Sequence, residues 1–444
     1  MIDRDALLRE GDVNLSSLRW SWRASLSDKT RDLLDEDERY FIRQSLSTPC
    51  LDVIERAEGA VLIDSDGRRI LDFHGNSAHQ LGHGHPKVVA AIKAEMDKLP
   101  FAPRRYANCA ATELARRLVD TAPTGLDKVL FAPSGAAAIS MALKLARYAT
   151  GRFKTLSLWD SFHGATLDAI GVGGEALFRR GLGPMPPGAE HLPPLHLARR
   201  FFGDDRPYDR LADFIDYALG VQGDVGALIA EPMRWTTVEP PPRDFWPQVR
   251  ESCRRHGALL VFDEIPSCLG RTGTLYACEQ FGTTPDILVI GKGLGGGVIP
   301  FAGILAARRL DCAPEAAVGH FTHEKSPVAS AAALATLAAI EEEKLLDRAK
   351  ELGRRGTERL RALQSRHPAI RDVRGFGCYF GVEIGGADAA ALAERIMYEC
   401  LAAGLSFKIG GGNVVTLCPP LTIPIAEFDE AFSILDEALA RLAG

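Results

Sequence analysis

Along most of the chain, apolar and polar positions fall into recognisable rhythms. Residues 59–75, GAVLIDSDGRRILDFHG, alternate apolar with polar side chains about an Asp-Gly pair, which predicts a β-hairpin. HPKVVAAIKAEMDKL (85–99) and AATELARRLVDTA (110–122) repeat apolar residues at three- and four-residue spacing and predict helices. Short strand-like runs follow in KVLFAP, KTLSLWD, VGALIAEP, ALLVFDE and DILVIGK, with helical segments among the intervening stretches. Strands alternating with helices predict a mostly parallel sheet with its functional groups at the strand carboxyl ends. From about residue 320 the pattern changes to one long helix over 326–365, strands in IRDVRGFGCYFGVEI and NVVTLCPPLT, and a closing helix, a smaller α+β domain. The proline-rich GLGPMPPGAEHLPPL reads as an ordered surface loop, with a substrate-side loop as the alternative.

Composition narrows the function classes. With 444 residues, 46% hydrophobic and 25% charged, the chain can bury a large core and predicts two domains. A net charge of -6 gives no basic field for nucleic acid or an anionic membrane, so no partner of either kind is expected and an anionic substrate must meet local cations. The nine cysteines are scattered, with no zinc spacing, so no metal site is expected and they read as reduced thiols in a cytoplasm. MIDRDALLREGD is charged and lacks the apolar core of a signal peptide. SPVASAAALATLAAI, the longest uncharged apolar stretch, suits a buried helix better than a membrane span.

The chemistry gathers at strand ends. DILVIGKGLGGGVIP places Lys292 among glycines after an apolar run. A Walker loop needs Ser or Thr after the lysine, and Gly293 stands there. Gly291, Gly293 and Gly296 satisfy GxGxxG, but a dinucleotide motif should open a helix, and GGGVIP disfavours one. Two readings remain for this stretch alone, a Schiff-base lysine approached closely by a flat cofactor and a solvated surface turn. Other strand ends carry Asp263 and Glu264, then Phe162, His163 and Gly164, and PSGAAA, where Ser134 and Gly135 open a helix whose free N–H groups can bind phosphate.

Together these motifs make the chain resemble pyridoxal-phosphate enzymes of aspartate aminotransferase fold, class-III (ω-aminotransferase) subgroup, over about residues 60–425. The resemblance implies an α/β fold of type I, with a large, mostly parallel seven-stranded-sheet domain that binds the cofactor (76–318). It also implies a C-terminal small domain (319–444) to which residues 1–75 contribute. FDEIPSCLGRTG resembles the family strand whose Asp263 pairs with the cofactor ring nitrogen, and GKGLGGG carries its lysine, Lys292. These two are the implied catalytic residues. SFHGAT resembles the ring-stacking turn, with Phe162 and His163, while Ile265 packs on the other ring face. Ser134, Gly135 and Ala136 are the implied phosphate loop, with Thr322 of THEKSP contacting the phosphate across a dimer interface. Glu231 in IAEPM lies near the substrate. The implied cofactor is pyridoxal 5'-phosphate and the implied assembly a homodimer with sites at its interface.

Departures from the family pattern point to a particular reaction. Thr416 in NVVTLCPPLTI stands where typical members carry an arginine that clamps the carboxylate of donor or acceptor, and a bidentate arginine is hard to replace. Pro266 stands where many relatives have glutamine. Arg104, Arg105, Arg234 and Lys325 instead suggest a small, strongly anionic amine substrate such as a phosphonate. Asn76 and His79, with His74 and Ser77, could position a hydroxyl or leaving group. DVNLSSLRWSW, SLSTPC, PFAPRRY, DEIPSCLGRTG and GHFTHEKSPVASAAALAT resemble the branch acting as (R)-1-hydroxy-2-aminoethylphosphonate ammonia-lyases. That likeness implies β-elimination to phosphonoacetaldehyde and ammonia; an ω-aminotransferase and a racemase or aminomutase are the alternatives.

Overall fold

The computed structural model describes residues 16–44 and 50–442. The signal-peptide reading of residues 1–12, the start of DVNLSSLRWSW and all but the last residue of SLSTPC lie outside them. Strands β1 (Ile54–Glu58), β2 (Val61–Asp64) and β3 (Arg69–Asp72) form an antiparallel meander. Its Asp-Gly turn forms as the alternation predicts: Asp64 Oδ1 accepts the N–H groups of Asp66 (3.0 Å) and Arg68 (2.7 Å), and Gly67 takes φ +80°.

The next seven strands are β4 (Lys128–Ala132), β5 (Lys154–Leu158), β6 (Ala189–Leu192), β7 (Val225–Ala230), β8 (Leu259–Asp263), β9 (Ile287–Ile290) and β10 (Ala302–Ala306). They form one sheet in the order β4-β10-β9-β8-β7-β5-β6. Only β10 pairs antiparallel to its neighbours; β5 through β9 pair in parallel. β7 and β9 are apolar along their whole length, and β8 up to its terminal Asp263, because both faces are covered. Helix Gly135–Thr150 lays Ala138, Ile139, Met141 and Ala142 against Ile229, Val261, Val289 and Ile304 in the resulting core.

After β11 (Ile370–Phe376) and β12 (Tyr379–Ile384) come β13 (Leu405–Ser406), β14 (Lys408–Gly410) and β15 (Val414–Leu417). β11, β12, β15 and β14 make a second antiparallel sheet, and β13 joins β3 in parallel. Phe73, Phe380, Phe428 and Phe432 form an aromatic cluster in this part of the chain.

The chain packs as two units: residues to His85 with Thr236–Val238 and Arg348 onward, and Pro86–Trp235 with Glu239–Asp347. By this division residues 76–85 join the smaller unit and 319–347 the larger one, whereas the sequence-based division places boundaries after 75 and 318. Two local expectations change. The long helix expected over 326–365 is two helices, Pro327–Glu342 and Leu345–Arg366, broken where Lys344 takes φ +54°. Glu341, Glu342 and Glu343 crowd the carboxyl end of the first helix, where its dipole disfavours negative charge. The proline-rich loop contains β6, an edge strand where flanking prolines are tolerated. No helix among the described residues is long and apolar enough to cross a membrane.

Candidate active site

Within the larger unit, the carboxyl ends of β4, β5, β7, β8 and β9 each deliver one functional element. β8 ends in Asp263, 2% exposed. Its Oδ2 lies 2.8 Å from Nδ1 of His163, and its Oδ1 accepts the N–H of Ile265 at 3.1 Å. Both contacts hold the carboxylate in one orientation, and His163, itself buried, supplies a donor in place of water.

Lys292 follows β9 and is half-buried, with φ +47°, a left-handed conformation that costs a non-glycine residue about 1–2 kcal/mol. Such strain persists where surrounding packing over-determines it, as at a functional lysine. Its Nζ sits 4.7 Å from the ring centroid of Trp235. The short helical turn that begins at Lys292 ends at Gly296, φ +68°, where a Cβ would fall 2.5 Å from Val88 Cγ1.

Two glycine contacts join the other elements. Ser134 caps helix Gly135–Thr150 by accepting the Ala137 N–H at 3.2 Å, which leaves the N–H groups of Gly135 and Ala136 outside the helical ladder. A Cβ on Gly135 would stand 2.8 Å from Ile265 Cδ1, so the helix start lies directly against the side chain two residues past Asp263. Gly164, φ +130°, brings the turn after β5 onto the same helix, where a Cβ would meet Ala136 Cβ at 2.7 Å. Phe162 stacks on Phe178, centroids 4.5 Å apart, and donates its N–H to Glu231 Oε1 at 3.4 Å.

Glu231 follows β7 and is buried. Burial, and then the charge of Asp263, push its carboxyl well above the usual range, while the N–H groups of Trp235 and Phe162 and the Lys292 cation oppose the push. Glu231 therefore lies within charge-interaction reach of both Asp263 and Lys292. Arg234 binds Glu231 Oε1 at 2.6 Å and also pairs with Glu175.

Ser134, Gly135, Ala136, Phe162, His163, Glu231, Asp263, Ile265 and Lys292 are thus gathered at one end of one sheet. Arg234 joins them through Glu231, and the remaining candidates lie elsewhere. Arg104 reaches His320 Nε2 at 3.0 Å, Asn108 donates to the Lys325 carbonyl at 2.9 Å, and Arg105, Thr322 and Lys325 are exposed. These segments border a cleft of about 430 Å³ lined by Arg104, His320 and Glu324, to which none of those nine residues contributes. Asn76 and His79 belong to the smaller unit, where His79 Nε2 lies 3.1 Å from the Asp72 carbonyl. Thr416, also there, is 1% exposed and donates its hydroxyl to the Thr236 carbonyl at 2.6 Å.

Two residues escaped the sequence reading. Trp235 follows Arg234 directly, and an aromatic after a strand-end arginine was the available signal. Glu175 has no motif; only the folded chain brings it to Arg234.

The gathered residues fit pyridoxal phosphate: free helix-start N–H groups for a phosphate, a side chain-free surface at Gly135 and Gly164, a fixed carboxylate and a half-buried amine. Comparison with known proteins agrees. A family model described as aminotransferase class-III matches residues 43–439. The (R)-1-hydroxy-2-aminoethylphosphonate ammonia-lyase of Vibrio splendidus (strain 12B01) is 43% identical, covering 98% of this chain and 95% of that protein. The 5-aminovalerate aminotransferase DavT of Pseudomonas aeruginosa is 35% identical, covering 88% and 94%. A solved amine transaminase from an uncultivated Pseudomonas species, in its PLP-bound form, superposes with TM-score 0.84 at 31% identity, covering 91% and 99%.

Proposed function

Because the chain belongs to the class-III aminotransferase family, and so works with pyridoxal phosphate, we propose that it is an ammonia-lyase. Its substrate is (R)-1-hydroxy-2-aminoethylphosphonate, converted to phosphonoacetaldehyde and ammonia. The observation that carries this reading is Thr416. Where typical family members have an arginine for a 2-oxo acid, this chain has a small hydroxyl residue whose proton goes to the Thr236 carbonyl at 2.6 Å. A reaction that needs no keto-acid acceptor does not need that clamp. Similarity to the Vibrio splendidus ammonia-lyase over 98% of the chain supports the same reading.

Pyridoxal phosphate, when bound, supplies an aldehyde that captures the substrate amine and a ring that accepts charge from the adjacent carbon. Lys292 would be the amine that holds it and the base that takes a proton from the substrate carbon bearing nitrogen. Asp263, oriented by His163 at 2.8 Å, keeps a proton on the ring nitrogen. Ile265 and Phe162 would flank the cofactor ring. The N–H groups of Gly135 and Ala136 and the Ser134 hydroxyl would hold the phosphate, joined by Thr322 across a homodimer interface. Hydroxide leaves from the carbon bearing phosphorus as the proton leaves its neighbour, and the enamine so released adds water and loses ammonia, so atoms balance without an acceptor. Glu231, paired with Arg234 at 2.6 Å, has its place beside the reacting groups in this reading. A cytoplasmic location belongs to this reading.

The test is ammonia release by cofactor-loaded protein from this hydroxyphosphonate, without keto acid, beside a Lys292→Ala control. Multiple turnovers with aldehyde matching ammonia support the lyase, and Lys292→Ala should release none. Turnover only with an added keto acid supports the second reading, an ω-aminotransferase, which the 35% identical 5-aminovalerate aminotransferase favours. Isomerisation without ammonia supports a racemase or aminomutase.

A further inference from the structure

Arg234 sits at the candidate site with more negative charge around it than one guanidinium can balance. It is 8% exposed and binds two carboxylates, Glu231 at 2.6 Å and Glu175. The two acids differ in kind. Glu231 follows β7, is 4% exposed, and is further held by the N–H groups of Phe162 and Trp235. Glu175 stands at the start of the single-turn helix Ala176–Arg179, none of whose residues is buried. One of its carboxylate oxygens is bound by Arg234; the other, Oε2, is buried with no hydrogen-bond partner among the described residues. A half-satisfied buried carboxylate is unstable relative to the same group in water, so it is poised to leave. Next to Arg234, Trp235 lies under Lys292 Nζ at 4.7 Å, which places the guanidinium one residue from the wall below the reacting amine.

We propose that Glu175 is an internal stand-in for the substrate's anionic group: an incoming phosphonate displaces it from Arg234 and takes the guanidinium for itself. This rests on the reading of the substrate as a small anionic amine, and it makes Arg234 the anion-binding residue and Glu175 its competitor. The exchange suits a phosphonate because its three oxygens can accept the guanidinium bonds Glu175 gives up and still offer an acceptor to other donors. Glu231 stays in place and keeps Arg234 oriented. A side-chain rotation of Glu175 about its three torsions is sufficient, and its carboxylate then gains the water its orphaned oxygen lacks. The device rejects neutral amines, which cannot displace a carboxylate.

The test uses binding, not turnover, so that it stands apart from the lyase assignment. Methylphosphonate, which has no amine and cannot react, is titrated by calorimetry into cofactor-loaded wild type, Glu175→Gln and Arg234→Gln, with propionamide as the neutral control. Loss of the competing charge in Glu175→Gln should tighten methylphosphonate binding about tenfold, equivalent to about 1.4 kcal/mol, and leave propionamide unchanged. Arg234→Gln should abolish it. Because Arg234→Gln leaves two acids together, the double variant Arg234→Gln with Glu175→Gln restores charge balance and should still fail to bind. Equal or weaker affinity in Glu175→Gln, or retained affinity in the folded double variant, overturns the proposal. Ammonia release from the hydroxyphosphonate reports separately on the reaction.

Discussion

Gly164→Ala probes the joint between the turn carrying Phe162 and His163 and the helix start that would hold the cofactor phosphate. Two costs add there. Gly164 has φ +130°, a region side chains rarely adopt, at a cost of about 1–3 kcal/mol. Its new Cβ would also lie 2.7 Å from Ala136 Cβ, 2.9 Å from Ala136 Cα and 3.2 Å from Ala169 Cβ. Two of those neighbours are methyl groups with no rotamer to change, and the third is backbone, so relief must come from moving the helix start, an overpacking cost of about 1–3 kcal/mol. The total is roughly 2–6 kcal/mol, a large share of a typical stability of about 5–15 kcal/mol. Gly151→Ala is the control: φ is +67° and no heavy atom lies within 4 Å of its Cβ, so only the backbone cost of about 1–2 kcal/mol remains. Urea unfolding of both variants, with pyridoxal-phosphate affinity measured by absorbance, separates the terms. Gly164→Ala should unfold at a lower urea concentration than Gly151→Ala and alone lose cofactor affinity. Equal midpoints with wild-type affinity in both would refute the close joint.

Other expectations follow from charge and burial. Burial raises the Glu264 carboxyl to about 7 although it accepts the N–H groups of Ala277 (2.6 Å) and Cys278 (2.7 Å). A raised carboxyl takes stability away as pH climbs from its ordinary value of about 4.3 towards 7, so the stability of wild type relative to Glu264→Gln should fall over that window, by up to about 3 kcal/mol, in urea melts at successive pH values. Burial alone would raise the Asp72 carboxyl, but the His83 hydrogen bond at 2.8 Å, the His79 charge and the His74 N–H outweigh it and hold it well below the usual range. Its stabilisation is present above about pH 4 and lost as pH falls through the folded value, so Asp72→Asn should cost more at pH 7 than at pH 3 in the same assay. Asp286, 1% exposed, pairs with Arg250 and Arg309 and accepts the Leu260 N–H at 2.8 Å; Asp286→Ala should cost about 3–5 kcal/mol in unfolding experiments because it strands those partners.

Local pattern determined the parts of this protein whose causes are local. Alternation about Asp64–Gly67 makes a hairpin because an Asx turn needs only neighbours in sequence. The apolar runs ending in Asp263 and preceding Lys292 make buried parallel strands because both their faces must be covered, and their polar terminal residues then emerge at one edge of the sheet. The family likeness rests on these same stretches, which is why Lys292, Asp263, His163 and Ser134 stand out as candidates in the sequence. Other features depended on distant partners. The break at Lys344 was hidden because apolar periodicity runs on across it, and β6 because its prolines mask a four-residue edge strand. Thr416 was conspicuous in sequence only as a missing arginine; the fold turns it inward to the Thr236 carbonyl. Arg234 was visible as a cation, but no spacing rule ties residue 234 to residue 175. That pairing exists because strands β5 and β7 are neighbours in the sheet, so the loops at their carboxyl ends meet, and a charge looking free in the sequence is held between two carboxylates in the folded chain.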